Sequence, residues 1–178
     1  MLKELTRAAQ QCPKDVQQHN RRTGQIIRAL LIEAGRGELV ELWRLEQSGP
    51  CDYHDIGKGS GDSDPLAHCS RGAALFSYAY EEALDGRERI FCSIACDLCR
   101  YHHERWDGTG GPGHLYGEDI PIIAREGAVA DAWDHLSMDS PQMPTAQKHE
   151  KIRQRAGFWY DPELVAALQR LFPAWPVE

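Results

Sequence analysis

Eight histidines are spread through the chain, and five of them stand where imidazole could meet carboxylate around a cation. Asp15 and His19 are four residues apart, so a helix there puts both on one face. His54-Asp55 sets a nitrogen donor beside an anionic oxygen donor, with Lys58 three residues on. His68 follows, then the adjacent pair His102-His103, and finally Asp131 within AREGAVADAWDHL. Imidazole and carboxylate suit zinc, iron, manganese and similar ions, and no thiolate occupies these positions, so a cysteine-type structural zinc site is not indicated. Taken singly, each histidine reads more readily as a satisfied structural residue. The recurrence of the pattern on four or five helices, each with inward-facing context, points instead to a metal site. His102 and His103 diverge by about 100° on a helix, so they serve one cluster most easily if it holds two metals or if the helix ends there. His114 and His135 show no ligand spacing, and His149, in QKHEKIRQR, reads as a solvated residue on a charged face.

The elements that must carry these residues read as helices throughout. Residues 14 to 34 place Ile26, Ile27, Leu30, Leu31 and Ala34 on one stripe, closed by Gly35 and Gly37. His19 lies at the polar end of that stripe, where burial is costly unless the group is paired or coordinated. Further helices are predicted over 38 to 47, with a stop at Ser48-Gly49-Pro50, and over Cys51 to Lys58. After the breaker run GSGDSD, Asp64-Pro65 reads as an N-cap followed by proline in the first turn, opening a helix to Leu84. Others follow over 87 to 103, 122 to 138, 145 to 156 and 161 to 172. In the 122 to 138 segment, Ala124, Gly127, Ala128 and Asp131 form an inward face of small residues, on which an orphan carboxylate is expensive and a metal ligand reasonable. Residues 106 to 121, WDGTGGPGHLYGEDIP, form a glycine-rich loop whose Gly108 to Gly113 would let backbone approach a substrate or move as a lid. Strand signals are nearly absent. The expected fold is all-α, a single helical bundle of seven or eight helices over residues 1–178.

Composition narrows the function classes. The chain has 178 residues, 42% hydrophobic and 26% charged, as in an ordinary soluble domain. A net charge of −7 argues against a general DNA binder. No apolar run approaches a membrane span, and MLKELTRAAQQ has no signal-peptide h-region, so the expectation is a cytoplasmic protein without membrane association. Cys92, Cys96 and Cys99 have the spacing of iron–sulfur ligands, but at i, i+4 and i+7 of a helix they read as small core hydrophobes. The five tryptophans, Trp175 among them, read as packing residues, except that Trp106 stands close enough to the loop to touch a base.

The strings YHDIGKGS, HCSRG, HHERWDGTGGPGHLYGEDIP and AVADAWDHL, in this order, resemble the HD-GYP family of HD-domain metal-dependent phosphohydrolases. The resemblance runs from about residue 15 to 172, where AGFWYDPELVAALQRLF is similar to the family's closing helix. It implies a helical HD domain, two divalent ions (iron or manganese) and hydrolysis of a cyclic dinucleotide, cyclic di-GMP first, by a metal-activated hydroxide. By the same resemblance His54 and Asp55 are the signature pair, with Asp55 bridging two metals. His68, His102, His103 and Asp131 are further ligands, and His19 is the early helical histidine. Lys58 is the lysine that contacts the scissile phosphate, and Asp15 is at a position tied to a third metal. No organic cofactor is implied. Because family members are commonly fused to sensory domains, a regulatory protein acting in trans is the expected partner.

The sequence also departs from the family pattern. Gly110-Gly111-Pro112 stands in place of Gly-Tyr-Pro, LSMDSPQMP replaces a basic run after His135, and the segment between Asp55 and His68 is short. Two alternatives follow: a phosphohydrolase of another nucleotide or phosphoester, and a non-catalytic nucleotide-binding module.

Overall fold

The computed structural model describes residues 5, 7–8, 11–45, 49–58 and 64–173. The breaker residues 59–63, the ends of the 38 to 47 segment and its stop at Ser48, and Trp175 lie outside them. Seven α-helices are present among the described residues: α1 (Lys14–Glu33), α2 (Gly37–Leu42), α3 (Ala67–Glu81), α4 (Gly86–Tyr101), α5 (Ile122–Asp139), α6 (Thr145–Arg153) and α7 (Pro162–Leu171). Two 3-10 turns, Pro50–Tyr53 and Gly117–Asp119, complete the order, and no strand is present among the described residues. The all-α expectation holds.

The helix ends follow local chemistry. Gly35, at φ 75°, takes the left-handed position after α1 and lets Arg36 N–H reach the Leu31 carbonyl. α2 stops earlier than its apolar pattern suggests, because Arg44 adopts φ 53° and Leu45 N–H closes back on the Val40 carbonyl. Asp64 accepts from Leu66 N–H within a turn ahead of α3, so it caps that turn and not the helix, which begins at Ala67. Asp85 caps α4 by accepting from Arg87 and Glu88 N–H. The segment expected as a helix from Cys51 to Lys58 is instead a 3-10 turn prolonged by i→i+3 bonds, Ile56 N–H to Tyr53 and Lys58 N–H to Asp55.

Two apolar clusters brace the molecule. The larger joins Ile27, Leu30 and Leu31 of α1 to Ile123, Val129 and Trp133 of α5 and to Leu164 and Leu168 of α7. The smaller packs Ala73 and Phe76 of α3 against Cys92, Ala95 and Cys99 of α4, with Ile56 from the 3-10 segment. All six cysteines are free and, Cys96 apart, buried, as the core reading of Cys92, Cys96 and Cys99 requires. His149 departs from expectation: it is buried with its ring 5.0 Å from Trp133. α6 is polar in sequence but packs on α5, and docking there buries Lys148 and His149 along with Ile152.

Two glycines set close approaches, Gly57 that of α3 to the turn following Pro50–Tyr53 and Gly127 that of α5 to α4. A Cβ at Gly57 would run into the His68 carbonyl oxygen and lie 2.6 Å from Gly72 N, and one at Gly127 would strike the Leu98 side chain. Gly57→Ala is expected to cost about 1–3 kcal/mol in denaturant unfolding while the far-ultraviolet helical signal persists; an unchanged midpoint would contradict the close packing.

Glu126 is buried in α5 with neither carboxylate oxygen hydrogen-bonded. Burial lifts its pKa to about 8 from an ordinary 4.5; Arg36 and Arg125 work against the rise, Asp161 and Glu163 with it. The proton is held more tightly in the folded state, so this contribution to stability is present in full below pH 4.5 and lost as pH rises through 8. Glu126→Gln should therefore flatten the fall in stability between those values, by on the order of 3–5 kcal/mol, measured by urea unfolding across pH.

Candidate metal centre

Five elements converge on one polar pocket. α1 supplies His19, the turn after Pro50–Tyr53 supplies His54 and Asp55, α3 supplies His68, the end of α4 supplies His102 and His103, and α5 supplies Asp131. His54 and Asp55 are both 1% exposed, which is possible for two neighbours because the tight turn aims both side chains inward. His102 is the last residue held by α4, through its N–H to the Leu98 carbonyl, and His103 lies just past the helix end, so both rings reach the same place, with centroids 4.2 Å apart.

Asp55 divides the cluster. Its Oδ1 lies 3.2 Å from His68 Nε2 and 3.6 Å from His102 Nε2. Its Oδ2 lies 3.5 Å from His54 Nε2 and 3.7 Å from His19 Nε2, and is paired with the Lys58 ammonium. On the first side, His103 Nε2 stands 3.2 Å from His68 Nε2. On the second, His19 Nε2 is 2.9 Å from Asp131 Oδ1 and 3.1 Å from His54 Nε2. One carboxylate thus spans two sets of nitrogen donors.

The outer partners of the rings fix which nitrogen points inward. His102 Nδ1 stands 2.9 Å from the Leu98 carbonyl and donates to it, leaving Nε2 with a lone pair facing the pocket. His19 Nδ1 donates to Asp134 Oδ2 at 2.7 Å, and Asp134 in turn is held by Arg22 through two bonds of 2.7 and 2.8 Å. Carboxylate behind histidine is the usual support of a metal-ligating imidazole. Asp134 and Arg22 were not singled out as site residues from sequence, although Asp134 lies one turn beyond Asp131 on the same face of α5.

Electrostatics keep most of these rings neutral. Burial, then the neighbouring His102 and His68, push His103 down to about 3. Burial also lowers His68 and His54. Burial opposes charge on His19 too, but Asp131 and Asp134 outweigh it and lift that ring to about 9. For Asp131, burial would raise the pKa, yet contacts from His19 and His54 hold it well below the usual carboxylate range. Neutral imidazoles beside ionised carboxylates are the protonation states that cation ligation needs.

Both oxygens of Asp55, together with Asp131 Oδ1 and His54 Nδ1, are shut away from solvent without a well-directed hydrogen bond. Such groups are costly to bury unsatisfied. Ring nitrogens also crowd to 3.1 to 3.3 Å of one another, more nitrogen donors than these contacts can pair off among themselves. A bound cation would relieve both, so the donor set fits a metal ion.

Not every sequence-derived residue arrives here. Asp15 is exposed in the first turn of α1 and has no described contact with the cluster. His135, given no role from sequence, stands 3.5 Å from Asp131 and groups with it and His19. Cys69 Sγ lies 3.5 Å from His68 Nε2, adjoining the other set. The glycine-rich loop is pinned and does not lie open as a lid. Buried Glu104 accepts from Gly113 and Leu115 N–H, and Gly111 N–H bonds the His103 carbonyl. Gly110 is pressed so closely on the Glu104–Arg105 backbone that a Cβ there would lie 2.6 Å from Glu104 Cα. The glycines allow the loop to pack on the protein's own chain. Trp106 packs beside Arg125, whose guanidinium is 5.8 Å from its ring.

Residues 90–164 match the family described as HD domain, a span that includes His102, His103 and Asp131. Among curated proteins, a cyclic di-GMP phosphodiesterase of Vibrio cholerae is 40% identical over 69% of this chain and 28% of its own length. The 3'3'-cGAMP-specific phosphodiesterase 2 of the same organism is 29% identical over 86% of this chain and 32% of its own. The chain therefore spans about a third of the length of these relatives. A crystal structure of a V. cholerae cyclic GMP-AMP phosphodiesterase, V-cGAP3, has the same fold, with a TM-score of 0.52 at 18% identity over 88% of this chain and 48% of that one. No helix among the described residues is long and apolar enough to cross a membrane. Motif order, helical architecture and these matches agree: the chain belongs to the HD-domain proteins of the HD-GYP type.

Proposed function

We propose that the chain is a metal-dependent phosphodiesterase that hydrolyses a cyclic dinucleotide, cyclic di-GMP first, using two divalent ions, iron or manganese. The observation that carries this reading is the Asp55 carboxylate, buried and shared between two imidazole sets. His68, His102 and His103 would hold one ion, His19, His54 and Asp131 the other, and Asp55 both. Bound there, the ions would supply Lewis acidity for activating water at neutral pH and for offsetting phosphodiester charge.

The chain's own groups complete the site. Lys58 is about a third exposed, with Nζ at the edge of the pocket and paired to Asp55. As a compact cation on a flexible stem, it is placed to turn toward a non-bridging phosphate oxygen. Asp134 holds the Nδ1 proton of His19, so Nε2 is the nitrogen that would give up its proton to a cation, and the Leu98 carbonyl holds His102 Nδ1 so that its Nε2 faces the pocket. Glu104 fixes the loop that walls the His103 side. The named activities of the relatives, cyclic di-GMP and 3'3'-cGAMP hydrolysis, favour a cyclic dinucleotide over an unrelated phosphoester.

Elemental analysis should find two equivalents of divalent metal in the purified protein, and a chelator should abolish hydrolysis of the cyclic dinucleotides with helical content kept. Manganese or ferrous iron should restore it. Asp55→Ala and His102→Ala should lose both metal and activity, and Asp134→Asn should weaken metal affinity roughly 10–100-fold. A folded, metal-free wild type, or full activity after chelation, would overturn the reading.

A further inference from the structure

Beside the metal-ligand pocket lies a pair of guanidinium groups that the chemistry above does not use. Arg105 Cζ is 4.0 Å and Arg155 Cζ 3.9 Å from the centroid of the same ring, Trp159. The turn bearing Arg155 and Trp159 is tied to the chain just after His103: Trp106 N–H donates to the Trp159 carbonyl at 3.2 Å, and Asp107 N–H to the Phe158 carbonyl at 2.9 Å. Buried Tyr160, in the same turn, accepts from Arg155. These backbone bonds put the pair beside the chain that carries His103, at that edge of the pocket.

Among the described residues neither arginine is closed into an ion pair, although Asp107 feels the charge of Arg105 and Tyr160 accepts from Arg155. Arg22 is paired with Asp134, Lys58 with Asp55 and Arg125 with Asp161. Among the described residues, no carboxylate stands within ion-pairing distance of Arg105 or Arg155. Stacking on an indole uses the guanidinium face and leaves the N–H edge free, and it reduces the side-chain freedom lost on binding. Two like charges held against one ring repel each other, and an anion drawn to their outer N–H edges offsets part of that cost. Planar N–H edges of this kind match the oxygens of a phosphodiester.

A cyclic dinucleotide carries two phosphodiesters. The metal ligands and Lys58 deal with one, and the second needs a cationic partner elsewhere on the rim. The stretch after His135, LSMDSPQMP, offers no basic residue for it. We propose that Arg105 and Arg155, held over the Trp159 ring, bind the phosphodiester of the dinucleotide that is not being cleaved. The proposal rests on the phosphodiesterase reading for what occupies the metal-ligand pocket.

Calorimetric titration of the manganese-loaded protein can separate the two. The probes are the phosphorothioate analogue of cyclic di-GMP, with two phosphodiester positions, and bis(p-nitrophenyl) phosphate, with one. The double variant Arg105→Gln/Arg155→Gln should lose at least tenfold in affinity for the first and less than twofold for the second, with metal content unchanged. Arg105→Lys/Arg155→Lys keeps the charge without the planar stack and should fall between. Equal loss for both probes, no loss for the dinucleotide analogue, or a wild type that does not bind that analogue would overturn the proposal. A wild type that shows the differential binding yet hydrolyses no cyclic dinucleotide would leave the anion subsite standing and remove the phosphodiesterase reading.

Discussion

The structure is organised around an ionised carboxylate placed where it should not be comfortable. Asp55 is almost wholly removed from water, and neither oxygen has a well-directed hydrogen bond. Imidazole nitrogens from four elements, together with one lysine ammonium, hold its charge in place. That arrangement is costly for a protein to build from its own groups, because desolvation is compensated only by precise geometry. Cations shared by the same donors turn the cost into binding energy. The cluster therefore makes sense as a site whose final stability comes from what it binds.

The rest of the fold can be understood as the frame that imposes this convergence. One apolar cluster fixes α1 against α5 and α7, which sets His19 against Asp131. The other fixes α3 against α4, which sets His68 against His102 and His103. The turn bearing His54 and Asp55 lies between them, and Gly57 lets it seat directly on the α3 backbone. Thiols contribute at the same place: Cys99 Sγ donates to the Tyr53 carbonyl at 3.2 Å, and Cys12 Sγ approaches the Asp55 carbonyl at 3.8 Å. These cysteines serve as small, weakly donating packing residues, in keeping with burial in a chain that forms no disulfide.

Much of this was legible before any coordinates. The apolar stripe of α1 and the small-residue face of α5 put His19 and Asp131 on facing helices, and the two stand 2.9 Å apart, because helical period alone decides which residues share a face. The partners across the pocket were harder to read. Asp134 and Arg22 look like ordinary surface charges in sequence, and only the approach of α1 to α5 makes them the support of His19. Glu104 and Glu126 gave no signal, since a single glutamate is usually solvated and nothing local marks these as buried. His149 is the same case in reverse: its charged sequence neighbours read as a solvated face, yet it packs against Trp133. Asp15 shares a face with His19 and is exposed in the first turn of α1, where helical period alone does not say whether it serves the pocket. Glycine richness announced a loop with special backbone needs and left open whether those needs were motion or close packing. The contact of Gly110 with the Glu104–Arg105 backbone answers packing.

The most direct measurement is anomalous scattering from crystals grown with manganese, collected at the metal edge. The account predicts two peaks flanking Asp55, one among His68, His102 and His103 and one among His19, His54 and Asp131, with Lys58 released from the carboxylate. No peak at Asp55 in an otherwise identical fold, with Lys58 still paired to it, would contradict the account.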